Sequence, residues 1–173
     1  GLGDVYKRQG KTTVATNLAI MRAVAGREVL LVDADDQESS TDFTMLRTEK
    51  WGDARYTSIK LTGPAVRTEG LKLKPKYDDL IIDAGGRDTA SQRAALAIAD
   101  LLLVPFVPRS FDVWTLERVA ALVTEIRTIN PALQAYAFIN RADSAGADNA
   151  DAAEVLQDTQ VLQFMATPLG TRK

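Results

Sequence analysis

The sequence predicts an α/β domain with one doubly wound, mostly parallel sheet and helices on both faces. Short apolar runs, typical of buried parallel strands, alternate with longer segments of helical periodicity. Two of these runs end in an aspartate, Asp33 and Asp83, and a Gly-Lys-Thr-Thr sequence at 10–13 stands where a loop turns into a helix. Because open α/β sheets bind ligands at the carboxyl ends of their strands, these features predict a ligand site at that edge.

The predicted elements follow this alternation along the chain. Helices are expected over 12–25, 43–46, 64–73, 90–99, 111–129 and 149–157. Strands are expected over 29–32, 58–61, 77–83, 101–106, 135–139 and from 161 onward, the last leading to a loop at 167–170. Gly26 is the stop signal of the first helix and Pro131 that of the longest one.

Apolar stripes on two helices are expected to face the core. On the first helix the stripe is Leu18, Met21 and Val24. On the longest helix it is Trp114, Leu116, Val119, Val123 and Ile126. Arg118 and Arg127 are expected on the solvated face of the longest helix, and Trp51 is expected to be packed or to face a partner.

The composition restricts the chemistry that is open to the chain. At 173 residues it fits one domain with a core of its own. Cysteine and histidine are both absent, which excludes disulfides, thiolate nucleophiles, imidazole bases and metal sites built on either residue. Oxygen ligands alone favour magnesium over zinc. With 21 Lys and Arg against 23 Asp and Glu, bulk charge does not predict a nucleic-acid partner.

Location and domain limits are read from the same sequence. No apolar stretch approaches the roughly 20 residues of a membrane span, so no membrane partner is expected. No secretory signal is visible, and a cytoplasmic location is expected. Residues 1–9 have no apolar period and are interpreted as an atypical, non-native prefix, with a natural but degenerate N-terminus as the alternative. The domain is therefore assigned to 10–173, and we expect it to be incomplete at its C-terminus because no closing helix follows.

The Gly-Lys-Thr-Thr sequence has the chemistry of the second half of a P-loop. Gly10 lets backbone N–H groups approach phosphate oxygens, Lys11 reaches the outer phosphates, and the Thr12 hydroxyl completes a magnesium shell. The helix that follows points its positive end at the anion. The motif G-x-x-x-x-G-K-[ST] also requires an earlier glycine, and Val5 stands there. A solvated helix start is the alternative interpretation.

Acids at the ends of the predicted strands suggest a magnesium site. Asp33 and Asp35 follow the strand over 29–32, and clustered acids are costly to bury unless a cation or hydrogen-bond donors meet them. Asp83 closes a second strand, where an acid holds a magnesium-bound water and Gly85-Gly86 lets the next loop approach a terminal phosphate. Alternatively, the first acids belong to a polar loop that caps the next helix through Ser39, Ser40 or Thr41.

Taken together, these blocks resemble the ParA/MinD group of deviant-Walker P-loop ATPases, and within it the small ParA-like partition proteins. The blocks that carry the resemblance are Gly10-Lys11-Thr12-Thr13 with Asn17-Leu18-Ala19, 29–35, 77–83, Gly85-Gly86-Arg87-Asp88 and the turn at 105–109. They occur in the family's order, with 22 positions from Lys11 to Asp33. The blocks together are far more specific than any one of them.

The resemblance implies roles for individual residues. Lys11 would bind the β and γ phosphates and contribute to catalysis, Thr13 would touch the α phosphate, and Gly10 would line the loop. Magnesium would be held by Thr12 directly and by Asp33 and Asp83 through water. Asp35 would be catalytic and position the attacking water. The adenine side of the site would be formed by Asn140, Pro168 and Arg172.

The same resemblance implies an activity and partners. A ParA-like ATPase binds Mg-ATP, forms an ATP-dependent homodimer and hydrolyses ATP slowly. It attaches to non-specific DNA on the bacterial nucleoid and is stimulated by a ParB-like protein to partition plasmid or chromosomal cargo.

Two departures from the family's loop leave the activity of this chain open. The loop K-G-G-x-G-K-[ST]-[ST] has Tyr6, Lys7 and Arg8 in its first three places, so the signature lysine and two glycines are missing. Asp36 stands where the family has a proline. A nucleotide-blind interaction module of the same fold is therefore the alternative function. A biosynthetic P-loop enzyme of the dethiobiotin-synthetase or cobyrinate-amidase kind is a weaker one.

Overall fold

A computed structural model describes residues 9–86, 89–110, 113–142 and 147–171. The chain divides into two compact units, each described by itself below. The N-terminal unit is Lys11–Ile98, and the C-terminal unit combines Gly1–Gly10 with Ala99–Lys173. None of the helices in the described ranges is long and apolar enough to cross a membrane.

The N-terminal unit alternates helices with the strands of a parallel sheet. Its elements are α1 (Lys11–Val24), β1 (Val29–Asp33), α2 (Ser39–Trp51), β2 (Thr57–Lys60), α3 (Ala65–Leu73), β3 (Asp79–Asp83) and α4 (Ala90–Leu96). The strand order is β2-β1-β3, and both pairings are parallel. In the register of β1 with β3, Asp33 is the partner of Asp83, so two acids end neighbouring strands side by side.

Helices cover both faces of this sheet. On one face, Leu31 and Ile81 pack with Ala19 of α1. On the other face, Ile82 packs with Val66 of α3 and Ala95 of α4. This arrangement follows from the alternation of side chains along a strand, since apolar residues at consecutive positions give both faces a core. The α/β class with parallel strands and helices on both faces is thereby confirmed.

The core-facing stripe predicted for α1 is wrong. Met21 and Val24 are 67% and 62% exposed, and Leu18 is only partly buried. The residues that face the sheet are mostly smaller, and they are Ala15, Thr16, Ala19, Ile20 and Ala23. Ala15, Ala19 and Ala23 are spaced by four residues and stay on one face of the helix. The predicted stripe is spaced by three residues, and this spacing turns away from that face more quickly.

The helix predicted over 43–46 is much longer in the structure. It is α2, with 13 residues, and Gly52 ends it in the left-handed region with a φ of 80°. Ser40 is its one buried residue, so its sequence lacks the apolar period by which helices are predicted. Trp51 at its end is exposed, so it is not packed in the core, and its contact with a partner stays a prediction.

The C-terminal unit has a second parallel sheet. Its elements are β4 (Leu101–Phe106), α5 (Val113–Ile126), β5 (Gln134–Ala142), α6 (Ala147–Gln157) and β6 (Gln163–Gly170). The order is β4-β5-β6, again parallel throughout. Its core joins one face of the sheet, including Phe106 and Ala137, to Val123 of α5 and Leu156 of α6.

Three sequence predictions fail in the C-terminal unit. Trp114 is 68% exposed, although the other four residues of its stripe are buried. Arg127 is not simply solvated: it donates from Nε to the Leu133 carbonyl and from Nη1 to the Val161 carbonyl, both at 3.1 Å. The loop predicted at 167–170 is the end of β6. Pro168 is tolerated there because pairing with β5 shifts register between Phe138 and Asn140.

Candidate functional site

The candidate site of the N-terminal unit lies where β1 and β3 end and α1 begins. The loop before α1 turns directly into a helix at Lys11, and the paired strand ends present Asp33 and Asp83. Thr12 in the first turn of α1 lies near Asp83 at the end of β3, and this nearby hydroxyl acts to lower the pKa of the Asp83 carboxyl. The structure therefore brings together four of the predicted residues, Lys11, Thr12, Asp33 and Asp83.

Lys11 is a largely buried cation with acids around it. Burial lowers the pKa of the Lys11 ammonium, while the charges of Asp83 and, to a smaller extent, Asp35 oppose that shift. A cation that has lost much of its water binds an anion more strongly than an exposed one does, because less solvent competes. Lys11 is thus suited to the phosphate role implied by the sequence.

Asp83 is the most perturbed acid among the described residues. It is only 3% exposed, and burial is the main cause that raises its pKa to about 6. Repulsion by Asp33 and Asp35 adds to this, while the nearby hydroxyls of Thr12 and Ser40 oppose it through their dipoles, without a full hydrogen bond from Ser40. In the part of the chain that the structure describes, neither Asp83 Oδ2 nor the Ser40 hydroxyl has a hydrogen-bond partner.

The donor set of this site fits magnesium. An orphaned carboxylate oxygen in the interior is costly unless something positive meets it. The Thr12 hydroxyl and Asp83 supply the oxygen ligands that magnesium prefers, and magnesium keeps several of its waters. Across the described residues, no three carboxylates lie close enough to hold a metal ion directly. The binding mode that fits is one hydroxyl with carboxylates acting through water.

Asp35 lies against a glycine of the loop after β3. A Cβ added to Gly85 would be 3.3 Å from the carboxyl carbon and both oxygens of Asp35. Asp35 Oδ1 also accepts a hydrogen bond from the Gln37 backbone N–H at 3.1 Å. The sequence predicted a different use of Gly85, an approach to phosphate, and it contains no signal for this contact because the two residues are 50 positions apart.

Asp33 is fully buried and is engaged by three donors of its own chain. Its Oδ2 accepts from the backbone N–H and the hydroxyl of Thr41, at 2.8 and 2.7 Å, and its Oδ1 accepts from the Asp35 N–H at 3.2 Å. The alternative interpretation of this loop expected Ser39, Ser40 or Thr41 to cap α2. The structure instead caps α2 with Asp33. The role of Asp33 in holding magnesium through water stays a prediction.

In the C-terminal unit, Asn140 meets the start of the loop before α1. Its side-chain Nδ2 donates to the Gln9 carbonyl at 2.8 Å, and both residues are buried. Gly10 has a φ of 79°, and a Cβ added to it would be 2.6 Å from Asn140 Nδ2. Only glycine fits at position 10, because the backbone is left-handed and the space is filled.

The remaining predicted residues are distributed as follows. Thr13 lies in the first turn of α1 and is exposed. Pro168 is an exposed residue of β6. Arg172 lies outside the described residues, as do Arg87 and Asp88. Sequence reasoning did not identify Gln9 or the hydrogen bond from Thr41 to Asp33, since both depend on the path of a loop.

Comparison with known proteins gives a curated relative in chromosome partition and solved structures with a similar fold. The chain is 33% identical over 115 residues to the chromosome-partitioning ATPase Soj of Thermus thermophilus, covering 65% of this chain and 46% of Soj. It therefore spans about half the length of this curated relative. A plasmid partition protein from Borrelia burgdorferi has a similar fold, with a TM-score of 0.70, 19% identity, and coverage of 95% of this chain and 86% of that one.

A biosynthetic enzyme shares the fold as well. Cobyrinic acid a,c-diamide synthase from Mycobacterium smegmatis, solved with a bound ATP analogue and magnesium, superposes with a TM-score of 0.81 at 20% identity. The match covers 94% of this chain and 82% of that one. The family described as the CobQ/CobB/MinD/ParA nucleotide-binding domain matches residues 8–167. The chain therefore belongs to the CobQ/CobB/MinD/ParA nucleotide-binding domain family, and the resemblance to ParA-like P-loop ATPases is confirmed.

Proposed function

We propose that this chain binds Mg-ATP at the carboxyl ends of β1 and β3 and hydrolyses it slowly, as a ParA-like partition ATPase. The observation that carries the proposal is the buried Asp83 oxygen, which has no hydrogen-bond partner among the described residues and lies near the Thr12 hydroxyl and the largely buried Lys11. A buried carboxylate oxygen without a hydrogen-bond partner among the described residues is costly to the fold, and a bound metal ion would satisfy it.

Each residue of the site has a proposed role. Lys11 binds the outer phosphates, and Thr13 binds the α phosphate. Thr12 and Asp83 hold the magnesium ion, which would neutralise phosphate charge when it is bound. Asp35 orients the attacking water, and its contact with Gly85 restricts where its carboxylate lies.

On the base side, Asn140, Pro168 and Arg172 form the adenine pocket. Asn140 already donates from Nδ2 to the Gln9 carbonyl, and this bond fixes the plane of the amide that would meet the base.

Replacing Lys11 with alanine is expected to weaken Mg-ATP binding at least ~100-fold, because charge-assisted contacts to phosphate contribute about 1.5–3 kcal/mol each. Titration calorimetry of both proteins measures this. The control is Lys72→Ala, since Lys72 is an exposed lysine of the same unit that pairs with Glu69. Equal affinity of wild type and Lys11→Ala would show that nucleotide binds elsewhere or that the chain is blind to it.

The proposal extends to assembly and location. The chain forms an ATP-dependent homodimer, binds non-specific DNA on the nucleoid of a bacterial cytoplasm, and is stimulated by a ParB-like protein. The support is its 33% identity to a chromosome-partitioning ATPase over 115 residues. DNA retention should require Mg-ATP and weaken as salt rises, because phosphate contacts release counterions. DNA retention that does not depend on nucleotide would contradict the proposed ATP-dependent attachment to DNA.

A further inference from the structure

We propose that Thr41 is a positioning residue, which holds the Asp33 carboxylate and thereby fixes the loop 34–38 that carries Asp35. The expected effect on ATP hydrolysis rests on the proposed function, in which Asp35 orients the attacking water. The expected effect on the loop does not. The observation behind it is the hydrogen bonding of Asp33, whose partners lie at the two ends of this one loop.

The geometry closes the loop at its base. Asp33 ends β1, and its Oδ1 accepts from the Asp35 N–H at the start of the loop. Its Oδ2 accepts from both the N–H and the hydroxyl of Thr41 in the first turn of α2, at 2.8 and 2.7 Å. One buried carboxylate thus ties the end of a strand to the beginning of the next helix. We call this arrangement the Asp33 clasp.

The clasp replaces the usual helix cap. The N-cap residue of α2 is Glu38, which has a left-handed φ of 54° and makes no side-chain capping bond. A capping side chain normally accepts from the N–H of the third helical residue, which here is Thr41. Asp33 accepts that N–H instead, and the Thr41 hydroxyl adds a second donor to the same oxygen. A buried carboxylate requires such donors, because it has no water to replace them.

The Asp33 clasp also restricts the position of Asp35. Its N–H is bonded to Asp33, its Oδ1 accepts from the Gln37 N–H, and its carboxylate lies against Gly85. Without the Thr41 hydroxyl, the helix end of the clasp keeps a single hydrogen bond, and the loop gains freedom. Lys11 and Thr12 lie on α1, outside this loop. Loss of the hydroxyl is therefore expected to affect the orientation of water by Asp35 and to leave nucleotide affinity nearly unchanged.

The chain offers matched variants for a test on the full-length protein. Thr41→Val removes the hydroxyl at nearly constant shape, and Thr41→Ser restores a hydroxyl. Thr48→Val makes the same change on the same helix at an exposed residue, whose hydroxyl bonds only the Thr44 carbonyl of its own helix. Three quantities are measured: amide hydrogen exchange over 34–42 without nucleotide, the Kd for Mg-ATP, and kcat for ATP hydrolysis.

Thr41→Val should raise exchange over 34–42 by roughly 10-fold and lower kcat by roughly 10-fold, the size expected when a buried carboxylate loses one hydrogen bond. The Kd should stay within about 2-fold, since the phosphate contacts are untouched. Thr41→Ser should restore all values to within about 2-fold of wild type, and Thr48→Val should change none of them.

The results separate this proposal from the proposed function. If the wild-type chain bound no Mg-ATP, the proposed function would fail, and hydrogen exchange in Thr41→Val and Thr41→Ser would still decide whether the clasp exists. The clasp is overturned if Thr41→Val keeps wild-type protection over 34–42, or if Thr41→Ser does not restore it. The positioning role is overturned if Thr41→Val weakens Mg-ATP binding as much as it lowers kcat.

Discussion

Asp83→Asn is expected to stabilise the nucleotide-free protein at pH 7.5 by about 1–3 kcal/mol. Burial is the main cause that raises the pKa of Asp83 from 3.8 to about 6, so the folded state binds its proton more tightly than the unfolded state does. Each pKa unit corresponds to about 1.4 kcal/mol, which gives an upper limit of about 3 kcal/mol. The lower end of the range applies if the buried amide N–H group finds no acceptor.

The raised pKa of Asp83 also predicts how the stability difference between Asp83→Asn and wild type changes with pH. Since the pKa of Asp83 is raised in the folded state, its contribution favours folding most at low pH. That contribution declines as pH rises from about 4 to about 6, and above about 6 it stays at its minimum. The stability difference between Asp83→Asn and wild type should therefore grow over this window and be constant above it. Thermal unfolding between pH 4 and pH 8 measures the difference.

Asp36→Asn is the matched control, because Asp36 is an exposed acid three positions after Asp33. It should show no comparable gain in stability. In the presence of Mg-ATP the order should reverse: the wild type gains stability from the ligand, and Asp83→Asn gains much less because its magnesium contact is weakened. A variant that is less stable than wild type at pH 7.5 without nucleotide would contradict the account of Asp83.

Gly10→Ala is expected to destabilise the chain by about 2–5 kcal/mol. A left-handed conformation costs an L-residue roughly 1–2 kcal/mol, and Gly10 has a φ of 79°. The new Cβ would also be 2.6 Å from Asn140 Nδ2, which must move and give up its bond to the buried Gln9. A buried carbonyl left without its donor costs about 1–3 kcal/mol. Denaturant unfolding of both proteins measures the sum.

Two further variants separate strain from collision. Gly52 has a φ of 80° and nothing within 4 Å of an added Cβ, so Gly52→Ala should cost only the strain, about 1 kcal/mol. In an Asn140→Ala background the collision is already absent, and the additional cost of Gly10→Ala should fall to a similar value. Equal costs of Gly10→Ala with and without Asn140 would show that this contact does not determine the conformation of the loop.

The parts of the site that the sequence predicted well are those fixed by regular structure. Parallel pairing places Asp33 beside Asp83 once both are recognised as strand ends. A helix that begins at Lys11 brings Thr12 to the same edge. These placements need only the alternation of strands and helices and the chemistry of one short motif, which are local signals.

The features that could not be predicted depend on tertiary packing. Two contacts depend on the conformation of loops, for which the sequence has no periodic signal. They are the contact of Asp35 with Gly85 and the hydrogen bond from Thr41 to Asp33. The stripe of α1 was misassigned because small alanines, and not the larger Met21 and Val24, pack on the sheet. The sequence predicts a loop at the end of β6 because Pro168 and Gly170 are also turn residues.

The central claim is that the orphaned oxygen of Asp83, with Thr12 and Lys11, marks a Mg-ATP site. Calorimetric titration of ATP into the full chain, with magnesium and again with a chelator, tests it most directly. A second protein, in which residues 1–9 are replaced by an apolar strand and the family's lysine and glycines, is titrated in parallel. The account predicts saturable binding at one site per chain that weakens without magnesium and is lost in Lys11→Ala. Absence of binding in both proteins would contradict it.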